Sequence, residues 1–325
     1  MPKIAITDYT FPDLSIEESV LQPAGIEIVS FKEKRSPSEL ANLVGDADAV
    51  ITQFAQVKAE VVNAMTKAKA IVRYGIGFDN VDIAAARKRG IPVCNIPEYC
   101  IDEVADHTLA FILAVTRQVV PNVLHLREGK WGLATPLTGM SALKHLAVGI
   151  VGFGRIGREV VKRLLVFKTR VIVFDPVVAA DEITRSGAVT AGSFDELLAQ
   201  SDIVSPHCPS TPETKHLFNA EAFAKMKSGS VFINVGRGDL ADSAAITYAL
   251  QSGHLAGAAL EVFDPEPIPA DHPILKLPNV ILSAHIASAS PSAAKILRET
   301  AARIALQAVR GKTLRNIVNG VSSRP

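Results

Sequence analysis

Five short apolar runs divide the first hundred residues: KIAIT at 3–7, IEIVSF at 26–31, ADAVIT at 47–52, AIVRYG at 70–75 and IPVCNI at 91–96. Stretches with helical spacing lie between them. SPSELANLVG starts near a possible N-cap, Ser36 or Ser38, and VDIAAARKRG ends at Gly90. Parallel neighbours need a crossover, so strand–helix alternation of this kind predicts a parallel α/β sheet. From Ile101 to Thr116 the sequence IDEVADHTLAFILAVT has no breaker and predicts a buried or interfacial helix, with Asp102 or Asp106 serving its first turns. Pro121, Gly129, Gly132, Pro136 and Gly139 predict a less regular stretch over 121–145. A second series then begins: AVGIVGF (147–153), VIVFD (171–175), DIVSPH (202–207), SVFINV (230–235), AGAALEV (256–262) and VILSAH (280–285). Six strands are the number a full dinucleotide-binding sheet uses. An Ala-rich helix carrying Lys295, Arg298 and Arg303 is predicted over 291–309.

Two α/β units follow from this pattern, and the second opens on a fingerprint. Gly152, Gly154 and Gly157 stand in G-x-G-x-x-G spacing between the strand AVGIV and the helical stretch REVVKRLL. The first glycine permits the tight turn. The second lets the backbone approach a pyrophosphate, and the third allows close helix–strand packing. The helix N-terminus adds unsatisfied N–H groups and a favourable dipole. Asp175 ends the next strand, at the distance of about 20 residues where an acid accepts the ribose 2′-hydroxyl. A carboxylate repels a 2′-phosphate, so Asp175 argues for NAD over NADP. Arg170 and Arg185 lie near it in sequence.

Composition narrows the function class. The 325 residues carry 34 basic and 33 acidic side chains, and 48% are hydrophobic. That is length enough for two cored domains, and no overall field favours nucleic acid or an anionic membrane. Cys94, Cys100 and Cys208 form no C-x-x-C pair, which suits a reducing compartment. MPKIAITDYT lacks the basic-then-apolar order of a signal peptide, and no apolar run approaches the ~18 residues of a membrane helix. The expectation is a cytoplasmic protein with no membrane, nucleic-acid or metal partner.

Three polar residues fall near strand C-terminal ends, where open α/β sheets place their ligands. Arg237 lies in INVGRGDL with Gly236 and Gly238 leaving space for a substrate beside it. Glu266 lies between Pro265 and Pro267, and His285 ends VILSAH. Taken singly, these read as a surface turn, a solvated acid and a satisfied histidine. Taken together, they suit carbonyl reduction. A histidine exchanges protons near neutral pH, a carboxylate holds an imidazolium, and a guanidinium grips a carboxylate through two parallel hydrogen bonds.

The sequence resembles the D-isomer-specific 2-hydroxyacid dehydrogenase family over nearly its whole length, nearest to the C-terminal-binding-protein-like and phosphoglycerate-dehydrogenase-like subgroup. The resemblance rests on VRYGIGFDNVDI, GIVGFGRIG, HCPSTPET, NVGRGDLAD, GAALEVFDPEP and NVILSAHIAS, in that order. It implies a Rossmann cofactor domain (101–289) inserted into a smaller flavodoxin-like substrate domain (1–100 and 290–325), with the catalytic cleft at their junction. Arg237 would bind the substrate carboxylate and carbonyl, His285 would be the acid/base and Glu266 its partner. The backbone of Tyr74, Gly75, Ile76 and Gly77 would meet the substrate carboxylate. Besides the glycines and Asp175, the cofactor would meet Arg155 and Ile156 along the pyrophosphate and His207, Cys208, Pro209 and Thr214 on the adenosine side. Val235, Gly236, Glu261 and Ser288 would lie towards the nicotinamide.

The implied activity is NAD-dependent interconversion of a small D-2-hydroxyacid and its 2-ketoacid by a homodimer, with the dimer arm in 101–116 and 121–145. Glyoxylate, hydroxypyruvate, pyruvate and 3-phosphohydroxypyruvate all remain open, and Arg73 is the candidate to meet a phosphate. Two positions depart from the family pattern: Glu261 replaces the usual Asp, and Ala287 stands where many members have Gly. An NAD(H)-sensing corepressor-like binding protein is the alternative, since VCNIPEYCIDEVADHTLAF and GFDNVDI resemble that subgroup.

Overall fold

The computed structural model describes residues 1–322. Its first sheet contains β1 (Lys3–Ile6), β2 (Glu27–Ser30), β3 (Ala49–Thr52), β4 (Ile71–Arg73) and β5 (Val93–Cys94). All pair in parallel, in the order β2-β1-β3-β4-β5. This is the flavodoxin-like order. Every residue of β3 and β4 is buried, as expected of strands covered by helices on both faces. Of the two candidate N-caps, Ser36 and Ser38, the structure uses Ser36. Ser36 and Glu39 form a reciprocal capping box on helix Pro37–Val44, and Asp82 accepts the Ala85 N–H at the start of helix Ile83–Lys88.

The final helix, Pro291–Val309, belongs to this first unit. Its Leu297, Ala301, Ala302, Ile304, Ala305 and Ala308 pack into one core with Ile4, Ile6, Ile51 and Val72. Arg298 turns inward from the same helix. Its Nη2 lies 2.6 Å from Oε2 of the fully buried Glu17, whose Oε1 accepts the Tyr74 hydroxyl at 2.8 Å. Burial, then the neighbouring Glu17 charge and hydrogen bond, hold the Tyr74 phenol well above its ordinary pKa, so it remains a donor.

The second sheet contains β6 (Ala147–Val151), β7 (Arg170–Phe174), β8 (Val189–Thr190), β9 (Ile203–Pro206), β10 (Ser230–Asn234), β11 (Leu255–Leu260) and β12 (Val280–Leu282). It is parallel throughout, in the order β12-β11-β10-β9-β6-β7-β8. That is the Rossmann order with one strand added beyond the sixth. By contacts the chain divides into two compact units, residues 1–100 with the segment from Ala289 onward, and Ile101–Ser288.

Three local expectations are corrected. The sheet has seven strands, not six, because β8 is a two-residue edge strand without an apolar run to announce it. Helix Val119–Arg127 occupies part of the stretch read as irregular. Pro121 sits in its first turn, where a missing N–H costs nothing. The third concerns His285, which lies beyond β12, in a turn. Asp102 and Asp106, one turn apart on helix Ile101–Thr116, both reach Arg163 at 2.6 and 2.7 Å. They tie that helix to Arg155–Val166, the helix that follows the glycine fingerprint.

Candidate active site

The fingerprint forms a tight β6-to-helix turn. Gly152 has φ +100°, and a Cβ on it would lie 2.7 Å from the Cys208 amide nitrogen. A Cβ on Gly157 would lie 2.2 Å from the Gly152 carbonyl oxygen. Both positions therefore exclude a side chain. Gly154 is different. It is exposed, and a Cβ there would meet nothing within 4 Å. It is also the N-cap of the twelve-residue helix Arg155–Val166, and no side chain caps that end. An open space facing uncapped helix amides fits a dinucleotide pyrophosphate.

Asp175 follows β7. Its Oδ2 accepts the Phe153 N–H at 2.7 Å, and Oδ1 accepts those of Val177 and Val178. Burial raises its pKa, but these three amides and the Arg158 charge outweigh that and leave it below the ordinary value. The carboxylate is thus ionised and oriented, and a carboxylate has about four lone-pair sites. The site fits an acceptor for ribose hydroxyls.

The backbone of His207 packs against Gly152, and its Nε2 lies 3.0 Å from the Ser205 hydroxyl. Burial pushes its pKa down to about 4, so the ring is neutral at pH 7. Burial likewise lifts the Cys208 thiol to about 11. The Thr214 hydroxyl closes the following loop by donating to the Pro209 carbonyl at 2.7 Å. Arg155 and Pro209 are exposed, Ile156 and Ser288 half-buried, and Val235 is buried just after β10.

Arg237, Glu266 and His285 come together in this unit. His285 Nδ1 lies 2.8 Å from Glu266 Oε2, while Glu266 Oε1 accepts the Phe263 N–H at 3.0 Å. Burial raises the Glu266 pKa. The His285 hydrogen bond and charge, the Phe263 amide and the Arg237 charge together outweigh it, and the net direction is down. An ionised carboxylate only accepts, so Nδ1 carries the shared proton. That orients the ring and assigns proton exchange with a ligand to Nε2.

Arg237 follows β10 on a turn held by Asn234, a fully enclosed residue that the sequence reading passed over. Asn234 Nδ2 donates to the Arg237 carbonyl at 2.9 Å, and Oδ1 accepts the Gly236 N–H at 3.0 Å. The role of Gly238 also differs from the expectation. A Cβ on it would lie 2.0 Å from the Phe263 carbonyl carbon and oxygen. Its missing side chain makes room for the loop that carries Glu266, not for a substrate. A buried Asn and a close backbone approach leave no periodic signal in sequence.

In the smaller unit, the Tyr74 side chain is enclosed and bound to Glu17. The Tyr74 and Gly75 amides are taken by the carbonyls of Thr52 and Arg73. Among the described residues, the Ile76 and Gly77 amides make no hydrogen bond. Arg73 is buried, with Nη1 donating to the Tyr74 carbonyl at 2.7 Å.

The sequence model of the D-isomer specific 2-hydroxyacid dehydrogenase NAD binding domain matches residues 109–287. The chain belongs to this family. It is an NAD-dependent D-2-hydroxyacid dehydrogenase, and its substrate is a small hydroxy or keto acid. A glyoxylate reductase of Thermofilum pendens is 41% identical to this dehydrogenase over 288 residues, 87% of this chain and 85% of its own. A D-3-phosphoglycerate dehydrogenase of Archaeoglobus fulgidus is 36% identical over 95% of this chain, which spans only 58% of that protein. Among solved structures, the D-lactate dehydrogenase of Aquifex aeolicus, in complex with NAD and lactic acid, matches with a TM-score of 0.85 at 28% identity. The match covers 98% of this chain and 100% of that one. The corepressor alternative finds no support among these relatives. Among the described residues of the dehydrogenase, no group of three or more His, Cys, Asp or Glu is placed to hold a metal ion. No single helix there is long and apolar enough to cross a membrane.

Proposed function

We propose that this dehydrogenase interconverts a small, unphosphorylated 2-ketoacid and its 2-hydroxyacid, with glyoxylate as first-choice substrate. The observation that carries the roles is the 2.8 Å His285–Glu266 pair beside Arg237. NADH, when bound, supplies the hydride to C2 of the ketoacid. Arg237 grips the carboxylate and polarises the adjacent carbonyl. His285 delivers the proton from Nε2 to the carbonyl oxygen as charge develops there, and Glu266 stabilises the imidazolium in the oxidative direction. Gly154, Arg155 and Ile156 hold the pyrophosphate on the turn that Gly152 and Gly157 shape, and Asp175 holds the ribose. His207, Cys208, Pro209 and Thr214 line the adenosine, while Val235, Gly236 and Ser288 lie towards the nicotinamide.

The smaller unit is read as the substrate-binding domain and the larger as the NAD-binding domain. The Ile76 and Gly77 amides are donors suited to a carboxylate. Two observations favour an unphosphorylated acid. The Arg73 guanidinium is enclosed and already bonded to the Tyr74 carbonyl, and the 41% identical relative is named a glyoxylate reductase. A homodimer is also part of this reading. Leu124, Leu126, Leu133, Leu137 and the 93% exposed Trp131 place large apolar side chains in solvent along one segment.

The test is NADH oxidation by the purified protein with glyoxylate, hydroxypyruvate, pyruvate and 3-phosphohydroxypyruvate, with NADPH in parallel, repeated on His285→Ala. Turnover with glyoxylate is expected. The variant should lose about 10²- to 10⁴-fold in turnover while still binding NADH. Retained turnover in His285→Ala would remove His285 from the mechanism. A preference for the phosphorylated acid would overturn the substrate assignment.

A further inference from the structure

Three consecutive amides of the turn that carries His285 donate to one residue. The His285 N–H bonds the main-chain carbonyl of Glu261 at 2.9 Å. The Ile286 and Ala287 N–H groups both bond Glu261 Oε1, the latter at 2.7 Å. The other carboxylate oxygen accepts the Ser283 hydroxyl and faces His107 Nε2 at 2.9 Å. Glu261 comes directly after β11 and has no exposed surface. His107 reaches it from helix Ile101–Thr116, with its ring edge-on to Phe111 at 4.4 Å between centroids.

A buried carboxylate is retained only when its lone pairs are filled. Here four donors fill all of them from within the protein: two amides, a hydroxyl and a ring nitrogen. What these bonds hold in place is unusual backbone. His285 has φ +54°, a left-handed conformation that a residue with a Cβ avoids. Successive amides in such a turn converge on a single anion, and the Glu261 carboxylate is that anion. The usual Asp would withdraw the charge by one bond, about 1.5 Å. It would then fall short of either the amides or His107.

We propose that Glu261 and His107 are positioning residues for His285. Glu261 anchors the backbone of the turn, His107 anchors Glu261, and Glu266 fixes the ring from its other side. This assigns the Glu261 carboxylate to the catalytic loop, not to the nicotinamide contact that the family resemblance implies. It rests on the reading of His285 as the acid/base.

The experiment compares Glu261→Gln, Glu261→Asp and His107→Gln with the wild type. It reads kcat, the KM for glyoxylate, the NADH dissociation constant by nicotinamide fluorescence, and the isotope effect with NADH deuterated at the transferred position. Misplacement by about 1 Å costs on the order of 100-fold in rate. Glu261→Gln should therefore lower kcat about 10- to 100-fold and raise the isotope effect, with NADH affinity within about threefold of wild type. Glu261→Asp should fall between the two, and His107→Gln should show the same pattern more weakly. Simple loss of folded protein would lower kcat without moving the isotope effect.

An unchanged kcat in Glu261→Gln would overturn the proposal. So would NADH affinity falling in step with kcat, or a Glu261→Asp variant as fast as wild type. Should Glu261→Gln not fold, His107→Gln carries the same test, and an unchanged kcat and isotope effect there would refute it. His285→Ala run alongside separates the two readings. If it keeps its turnover, the acid/base assignment fails. If it is dead while the Glu261 and His107 variants are normal, only the positioning role fails.

Discussion

Gly238→Ala isolates the packing that brings Arg237 and Glu266 together. Gly238 opens the short turn after Arg237. An added Cβ would lie 2.0 Å from the Phe263 carbonyl carbon and oxygen and 2.6 Å from the Asp264 nitrogen. Real Cβ contacts essentially never fall below 3.0 Å. All three atoms are backbone, so no side chain can swing aside, and one strand of the contact must move by about 1 Å. The displaced segment is not a passive one. The Phe263 amide holds Glu266 Oε1, and Glu266 Oε2 holds His285. A shift of about 1 Å at such a site costs on the order of 100-fold in rate, and overpacking costs about 1–3 kcal/mol of stability. The assay is kcat/KM for the preferred ketoacid with a thermal melt and an NADH titration. Gly154→Ala is the control. Nothing lies within 4 Å of its Cβ, so its melting temperature should match wild type while its NADH affinity falls. If Gly238→Ala keeps kcat/KM within about threefold, this arrangement of Arg237, Glu266 and His285 is not the one that turns over.

The remaining predictions concern pH, stability and assembly. Glu266 is held below its ordinary pKa in the folded protein, so the unfolded chain binds its proton more tightly. Its contribution to stability is present above about pH 4.3 and is lost as pH falls through the folded value. The gap in urea midpoint between wild type and Glu266→Gln should thus narrow below about pH 4, and a gap that widens there would contradict the pairing. Glu17→Ala would leave the buried Arg298 only the exposed Asp13 carboxylate at 3.4 Å, and should cost about 3–5 kcal/mol by denaturant titration. A loss under about 1 kcal/mol would mean the pair is solvated. Trp131→Glu places a charge on the apolar segment of the larger unit. Light scattering should report a smaller species than wild type, and an unchanged mass would exclude this surface from the assembly.

Much of this protein is legible along the chain because its signals are local. Buried parallel strands are short apolar runs, and helix starts carry their own caps at Ser36, Asp82 and Ser290. A glycine whose φ is +100° must be a glycine in the sequence too, so the turn at Gly152 is readable with Asp175 at its fixed distance. Family, fold class and cofactor rest on such features.

Other features exist only once distant segments meet. β8 is two residues long and is a strand solely because β7 lies beside it. Arg298 looks like one more cation on an Ala-rich helix until Glu17, far away in sequence, receives it. Glu261 reads as a departure from the usual Asp towards the nicotinamide, yet its partners are His107, Ser283 and two amides on other elements. His285 looks like the end of a strand, yet it sits in a left-handed turn whose next two amides bond Glu261. The physical reason is common to all four. Period and propensity are properties of neighbours in sequence, whereas the partner of a buried charge and the conformation of a strained loop are set by groups that only folding brings within hydrogen-bonding distance.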